Sequence, residues 1–353
     1  MKTEVYILLQ RIAELQSATT IHSPSGIFHS YRKLSWLPLK RRDDNIFFTA
    51  LILFTLSSYT SLMNEEERAL YERIRVNALR AFSYYTSLPG GIRLYNFWQK
   101  KSNAHFPGGL LLHRFLYFKL PDDIDDTALV WLAGGYTPDE IVLLKNKVIE
   151  HAAYSKRAPY HVADRYKGLR LYSSWFGKNM PIEIDVCVIT NLLYLFLESK
   201  HELNEHDQDN LRFIKMVVQS GDYINNPFRV SPNYSNSVII YYHLVRLVER
   251  FPEYFSEEHK QLIKQYEELK SLQLSPLYKC VLASSALKLR IPINEEGLLE
   301  KEATKDAWFR AGMMSTWENS LSHLLAPRPM FHLTFNCEAY AYALNAEYFL
   351  LKR

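Results

Sequence analysis

The 353-residue chain is 48% hydrophobic and 23% charged, with 12 Gly and 15 Pro, proportions that exclude long disordered tracts and fibrous repeats. Its 42 basic and 38 acidic residues leave a net charge of +4, too even a balance for nucleic acid as the main partner. Cys187, Cys280 and Cys337 lie far apart with no C-x-x-C spacing, which argues against a disulfide framework or structural zinc and suits a reducing, cytoplasmic setting.

The elements alternate between two kinds of helix. Lys2 to Gln16 is amphipathic, and Glu4, Gln10, Arg11 and Glu14 interrupt any apolar run that would make a signal peptide. Asn45 to Met63 is uncharged, but its threonines and serines dilute it, so it reads as a buried helix rather than a membrane span. Apolar helices of this kind recur as RDDNIFFTALILFTL from Arg42, DDIDDTALVWLA from Asp122, IEIDVCVITNLLYLFLE from Ile182, NYSNSVIIYYHLVRLVE from Asn233, PLYKCVLASSALKL from Pro276 and NCEAYAYALNAEYFLL from Asn336. Between them lie polar-faced helices at Asn64 to Thr86, Thr137 to Tyr154, Glu205 to Gln219 and Ser256 to Ser271, opened by NEEER, TPDE and SEEH.

A helix apolar on nearly every side must be buried on every side, whereas one with a single apolar stripe can face water. Six of the first kind wrapped by the second predict an all-α fold, an (α/α)6 barrel of six helical hairpins in one domain over residues 1–353. The inner helices are expected to run parallel, with their N-termini at one mouth. The long aromatic loops from Pro89 and Tyr166 precede inner helices and crowd that mouth, the place to look for chemistry.

The second apolar helix opens with Asp122, Asp123, Asp125 and Asp126. Acids at a helix N-terminus cap free N–H groups and meet the macrodipole for about 0.3–1 kcal/mol each, which explains one or two of them. Crowded, buried carboxylates repel, and the pKa of at least one rises. Keeping an Asp protonated at pH 7 takes about 4 kcal/mol of bias, so burial has to outweigh the dipole.

The run Asp123-Ile124-Asp125-Asp126-Thr127-Ala128 resembles the D-x-D-D-T-A acid motif of class II terpene cyclases. The resemblance implies an (α/α)6 barrel in which Asp125 protonates an alkene or epoxide of a linear isoprenoid, Asp123 and Asp126 orient it and hold its proton, and aromatic walls guide the carbocation. It covers about eight residues. The Q-x-x-D-G-x-W repeats of the triterpene branch are absent from the sequence, as is room for the second helical domain many of these enzymes insert. The same letters satisfy the D-D-x-x-D magnesium motif of class I terpene synthases, although no N-D-x-x-S-x-x-x-E partner follows. Mg2+ is expected only if the substrate is a diphosphate; otherwise no cofactor is.

Asp44 and Asp185 hold matched places on the first and third apolar helices and are candidates to face the same opening, while Asp43 reads as a cap. Cation-guiding rings are sought before the acidic starts, at Tyr95, Phe97, Trp98, Tyr172, Trp175 and Phe176, with Trp317, Phe331 and Phe335 behind them. Lys40, Arg41, Arg42, His113, Arg114, Lys119 and Lys178 are the basic residues that could meet a diphosphate. The partner expected is thus a small isoprenoid, with peripheral membrane contact. A sugar-cleaving barrel with paired carboxylates and a non-catalytic toroid are the rival readings. HELNEH from His201 spaces its histidines five apart and fails as a zinc motif, and no P-loop, nucleophile elbow or dinucleotide fingerprint occurs.

Overall fold

A computed structural model of the chain describes residues 2–16, 24–34, 39–100, 119–159, 162–177, 180–293, 307–311 and 324–353. Among the described residues it is mostly helical: α1 (Glu4–Leu15), α2 (Phe47–Ser57), α3 (Glu65–Phe82), α4 (Ile124–Gly134), α5 (Pro138–Glu150), α6 (Val186–Glu198), α7 (Glu205–Ser220), the short α8 (Asp222–Asn225) and α9 (Pro227–Val230), α10 (Ser237–Arg250), α11 (Ser256–Lys270), α12 (Pro276–Lys288) and α13 (Glu338–Leu351). The expectation of an all-α fold needs correction, because a four-stranded antiparallel sheet is present. Its order is β2-β1-β6-β5, from β1 (Ser30–Leu34), β2 (Arg41–Asp43), β5 (Trp308–Ala311) and β6 (Leu333–Asn336). A two-stranded ribbon joins β3 (Thr86–Ser87) to β4 (Leu94–Tyr95).

The two kinds of helix separate as their patterning demands. In α6 every residue from Val186 to Leu197 is buried, and in α2 every residue from Phe48 to Leu56. These helices, with α4, α10, α12 and α13, pack in a cyclic succession: α2 on α4, α4 on α6, α6 on α10, α10 on α12, α12 on α13 and α13 on α2. The polar-faced α1, α3, α7 and α11 lean on them from outside, α1 against α13 and α7 against α6. Capping boxes start α3 (Asn64 with Glu67), α5 (Thr137 with Glu140) and α7 (Asn204 with Asp207), each satisfying two N–H groups that the helix leaves open. Gly135, at φ 97°, ends α4 in a backbone conformation that side chains with a Cβ avoid.

The apolar helices start later than their sequence runs. Arg41–Asp43 is strand β2, and α2 begins at Phe47; Leu333–Asn336 is strand β6, and α13 begins at Glu338. The reason is pairing between distant segments: Tyr31 sits opposite Arg42 on β2 and Asn336 on β6, and Asn336 sits opposite Trp308 on β5. On the face toward the helices this sheet presents Phe309 and Phe335, paired across strands. On the other face Lys33 and Lys40 lie over the rings of Trp308 and Tyr31, each at 4.0 Å. The described helices include none long and apolar enough to cross a membrane.

Candidate active site

N-terminal ends of α2, α4, α6, α10 and α13 converge on one cavity, closed on another side by the four-stranded sheet. Its empty volume, open mouth included, is about 980 Å3. Phe47, Phe48 and Leu51 come from α2, Val188 from α6, Ile239 and His243 from α10, and Tyr340 from α13. Phe97 and Trp175 arrive on the loops before α4 and α6, Tyr234 on the loop before α10, and Phe309 and Phe335 on the sheet. Asp123, Asp125 and Asp126 set carboxyls into this largely aromatic wall.

The first turn of α4 divides the labour of its acids. Asp123 is the N-cap: its side chain accepts from the N–H of Asp126 at 2.7 Å, while its own N–H donates to the carbonyl of Tyr95 at 3.1 Å. Asp122 turns away from the cavity and receives Lys100 and the hydroxyl of Ser87. Asp126 is 1% exposed, and neither carboxyl oxygen has a hydrogen-bond donor among the described residues. What it does touch is the carboxyl of Asp123. Two carboxyls bond to each other only if one keeps its proton. Burial first, then the adjacent Asp123, pushes Asp126 well above the usual carboxylate range, and burial lifts Asp123 to about 8 against the pull of its hydrogen bonds to Asp126. The pair therefore shares a proton at neutral pH.

Asp125, one position along the helix and half-buried, faces the cavity. Its Oδ1 accepts from Asn191 Nδ2 at 2.6 Å and its Oδ2 from the hydroxyl of Tyr234. Burial raises its pKa; the hydrogen bonds from Tyr234 and Asn191 and the charge of Arg246 oppose that, and the net direction is upward. Asn191 in turn receives Arg246, and His243 Nδ1 lies 3.2 Å from the same amide oxygen. Burial, with Arg246 adding to it, drives His243 well below its ordinary range, so this ring is neutral.

Other expected residues fall elsewhere. Asp185 is fully buried and saturated: Oδ1 accepts from the N–H groups of Cys187 and Val188 and from Ser231, and Oδ2 accepts from the N–H of Asn233 at 2.8 Å. Burial still raises it, to about 7. It fastens the loop before α10 to α6 and does not line the cavity. Asp44 binds His29 at 2.8 Å and Arg42 at 2.9 Å; burial raises it, but those two bonds outweigh burial and bring it down to about 2. Asp43, expected only to cap, is the more buried of the two, accepting from Trp98 Nε1 at 3.0 Å and paired with Arg32 at 3.0 Å. Capping of α2 falls to Asn45, whose Oδ1 accepts from the N–H of Phe48.

Among the rings sought before the acidic starts, Phe97 and Trp175 line the cavity, as does Phe335. The others pack behind it because their polar or edge contacts are already met there. Tyr95 meets Phe82 edge-on, Trp98 is tied to Asp43, Tyr172 donates to Asp207 at 2.8 Å, and Phe176 lies edge-on to His151. Phe331 sits in a short 3-10 turn before β6, away from the cavity. Trp317, His113, Arg114 and Lys178 lie outside the described residues. Of the basic candidates, Lys40 covers Tyr31 on the outer face of the sheet and Arg42 serves Asp44.

The sequence reading missed Asn191, Tyr234, His243 and Arg246. The signal was there: an amide inside the apolar run of α6, and a His and an Arg one turn apart inside that of α10, are polar groups that a fully buried helix tolerates only with partners. Among the described residues no three His, Cys, Asp or Glu side chains are grouped to hold a metal ion. Compared with family models, curated proteins and solved structures, the chain matches none.

Proposed function

We propose that this protein is a class II terpene cyclase-like enzyme that protonates a linear isoprenoid through Asp125, on a single-domain (α/α)6 barrel whose inner ring is the cyclic succession of α2, α4, α6, α10, α12 and α13. The observation that carries the reading is the placement of one half-buried carboxyl, held by Asn191 and Tyr234, in the wall of a cavity otherwise built from Phe47, Phe48, Phe97, Trp175, Phe309 and Phe335. The carboxyl proton passes to one carbon of a double bond, or to an epoxide oxygen. A cation forms at carbon, and the π electrons of the next double bond attack it to close a ring. The remaining charge is quenched by loss of a proton or capture of water. Ring faces hold such a cation for about 0.5–2 kcal/mol each. The carboxylate left on Asp125 keeps both hydrogen bonds, which stabilise it as charge develops.

The substrate is a small isoprenoid met in the cytoplasm or at a membrane surface, and the chemistry needs no cofactor. The magnesium reading of D-D-x-x-D fits less well, because Asp122 is occupied by Lys100 and Ser87 while Asp126 is sealed against Asp123; these acids do not open onto a common point. A sugar-cleaving site would set two acids across an open groove, whereas Asp123, Asp125 and Asp126 share one helix start beside aromatic walls.

The test is incubation with linear isoprenoid alkenes, epoxides, alcohols and diphosphates, read by gas chromatography and mass spectrometry. Cyclic product from the wild type, lost by about three orders of magnitude in a folded Asp125→Asn variant, supports the reading. An undiminished rate in that variant, or no cyclic product from any of these substrates, refutes it.

A further inference from the structure

Arg246 is buried at 6% exposure, yet no carboxylate lies within ion-pair distance of it among the described residues. Its Nε and Nη1 have no hydrogen-bond partner there, and its guanidinium stacks over Phe54 at 4.5 Å and Tyr242 at 5.6 Å. A buried cation without a counter-charge costs stability, so its retention calls for a use. One nitrogen is committed: Nη2 donates to Asn191 Oδ1, and the same amide donates from Nδ2 to Asp125 Oδ1 at 2.6 Å. An amide polarised at oxygen by a cation is a stronger donor at nitrogen.

Resting on the reading of Asp125 as the acid, we infer that Arg246, acting through Asn191, is a positioning residue that sets the acidity of Asp125. Burial alone would hold the proton on Asp125 too tightly to give it up. The Arg246–Asn191 link favours the carboxylate that the reaction leaves behind, without a salt bridge that would ionise Asp125 beforehand. The groups facing Asp125 divide accordingly. Asp123 and Asp126 from the start of α4, and Asp185 and Cys187 at the start of α6, are the acids and thiol that interact with it. Tyr234 and the neutral His243 contribute dipoles from the α10 side, α2 presents only Phe47, Phe48 and Leu51, and Arg310 borders the cavity from the exposed side of β5. Lys288 and Glu347, deeper in the ring, neutralise each other at 2.8 Å.

The experiment follows the Asp125 carboxyl by carbon NMR of aspartate-labelled protein, assigned with Asp125→Asn, across a pH series without substrate. Arg246→Met is expected to move its titration upward by about one unit, and Asn191→Leu, which keeps Arg246 but cuts the link, to do the same. Arg246→Lys restores most of the shift. With an accepted isoprenoid, kcat falls about tenfold in the first two variants while KM holds. An unmoved titration in a folded Arg246→Met or Asn191→Leu protein overturns the inference, whatever the turnover. A moved titration in a protein that cyclises nothing sustains the relay and removes the cyclase reading instead. Should Arg246→Met fail to fold, Asn191→Leu decides.

Discussion

Replacing Asp126 by Asn tests whether the acid cluster stores a proton. In the wild type the Asp123–Asp126 pair keeps one proton at neutral pH, while in the unfolded chain both carboxyls ionise near 3.8. A carboxyl whose folded pKa is raised supplies its full stability below the unfolded value and loses it as pH climbs toward the folded value. The window here runs from about pH 4 up to about 8. Holding one proton at pH 7 against an unfolded pKa of 3.8 costs about 1.4 kcal/mol for each of roughly three pH units, near 4 kcal/mol in all. Both side chains are buried, so little of this is screened. Asparagine at 126 keeps the shape, donates to Asp123 at every pH and has no proton to defend. The variant is therefore expected to gain on the wild type steadily from pH 4 to pH 7, by about 4 kcal/mol, which for a chain of this length is a melting-temperature gap widening by about 5 °C. Thermal and denaturant unfolding of both proteins at one-unit pH intervals measures it. Parallel stability curves, or a variant that loses ground as pH rises, would show that the pair is ionised and remove the proton store.

Three further outcomes follow from neighbouring groups. Asp185→Ala loses four hydrogen bonds at once and should cost about 3 kcal/mol, measurable as lower denaturant resistance. Asp44→Asn should cost about 1–2 kcal/mol at pH 7, after allowance for the half-open Arg42. That stability is present above the unfolded value and lost as pH falls toward about 2, so variant and wild type should converge in strong acid; a gap unchanged down to pH 2 would mean the His29 and Arg42 contacts carry nothing. Glu347→Gln strands Lys288, 6% exposed, and should cost about 3–5 kcal/mol, most of it recovered by adding Lys288→Met; equal losses in single and double variants would contradict the pairing.

The helices were legible because burial on all sides leaves a compositional trace: α6 has no exposed face, and its sequence offers none. The acidic starts were legible for the same reason, since four carboxylates exceed what caps require. The sheet was not. Its strands are three to five residues long and too short for an alternation to register. What makes them strands is pairing between Ser30–Leu34 and Leu333–Asn336, a relation no local window contains. Aromatic residues misled for a related reason. Tyr172 and Trp98 precede acidic helices as Phe97 and Trp175 do, but hydroxyl and indole N–H groups seek buried acceptors, and Asp207 and Asp43 supplied them away from the cavity. The polar residues within apolar helices, Asn191 and Arg246, were visible but belonged to different segments, and their alignment with Asp125 depends on how α4, α6 and α10 pack.

The sheet that lines the aromatic cavity joins stretches of chain some three hundred positions apart. Contacts of such long range form late and slowly, so during synthesis the greasy interior stays unroofed until β6, some three hundred residues after β1, has left the ribosome. Weakening the β1–β6 seam should then surface less as a lower melting point than as sluggish refolding and clumping of half-finished chains.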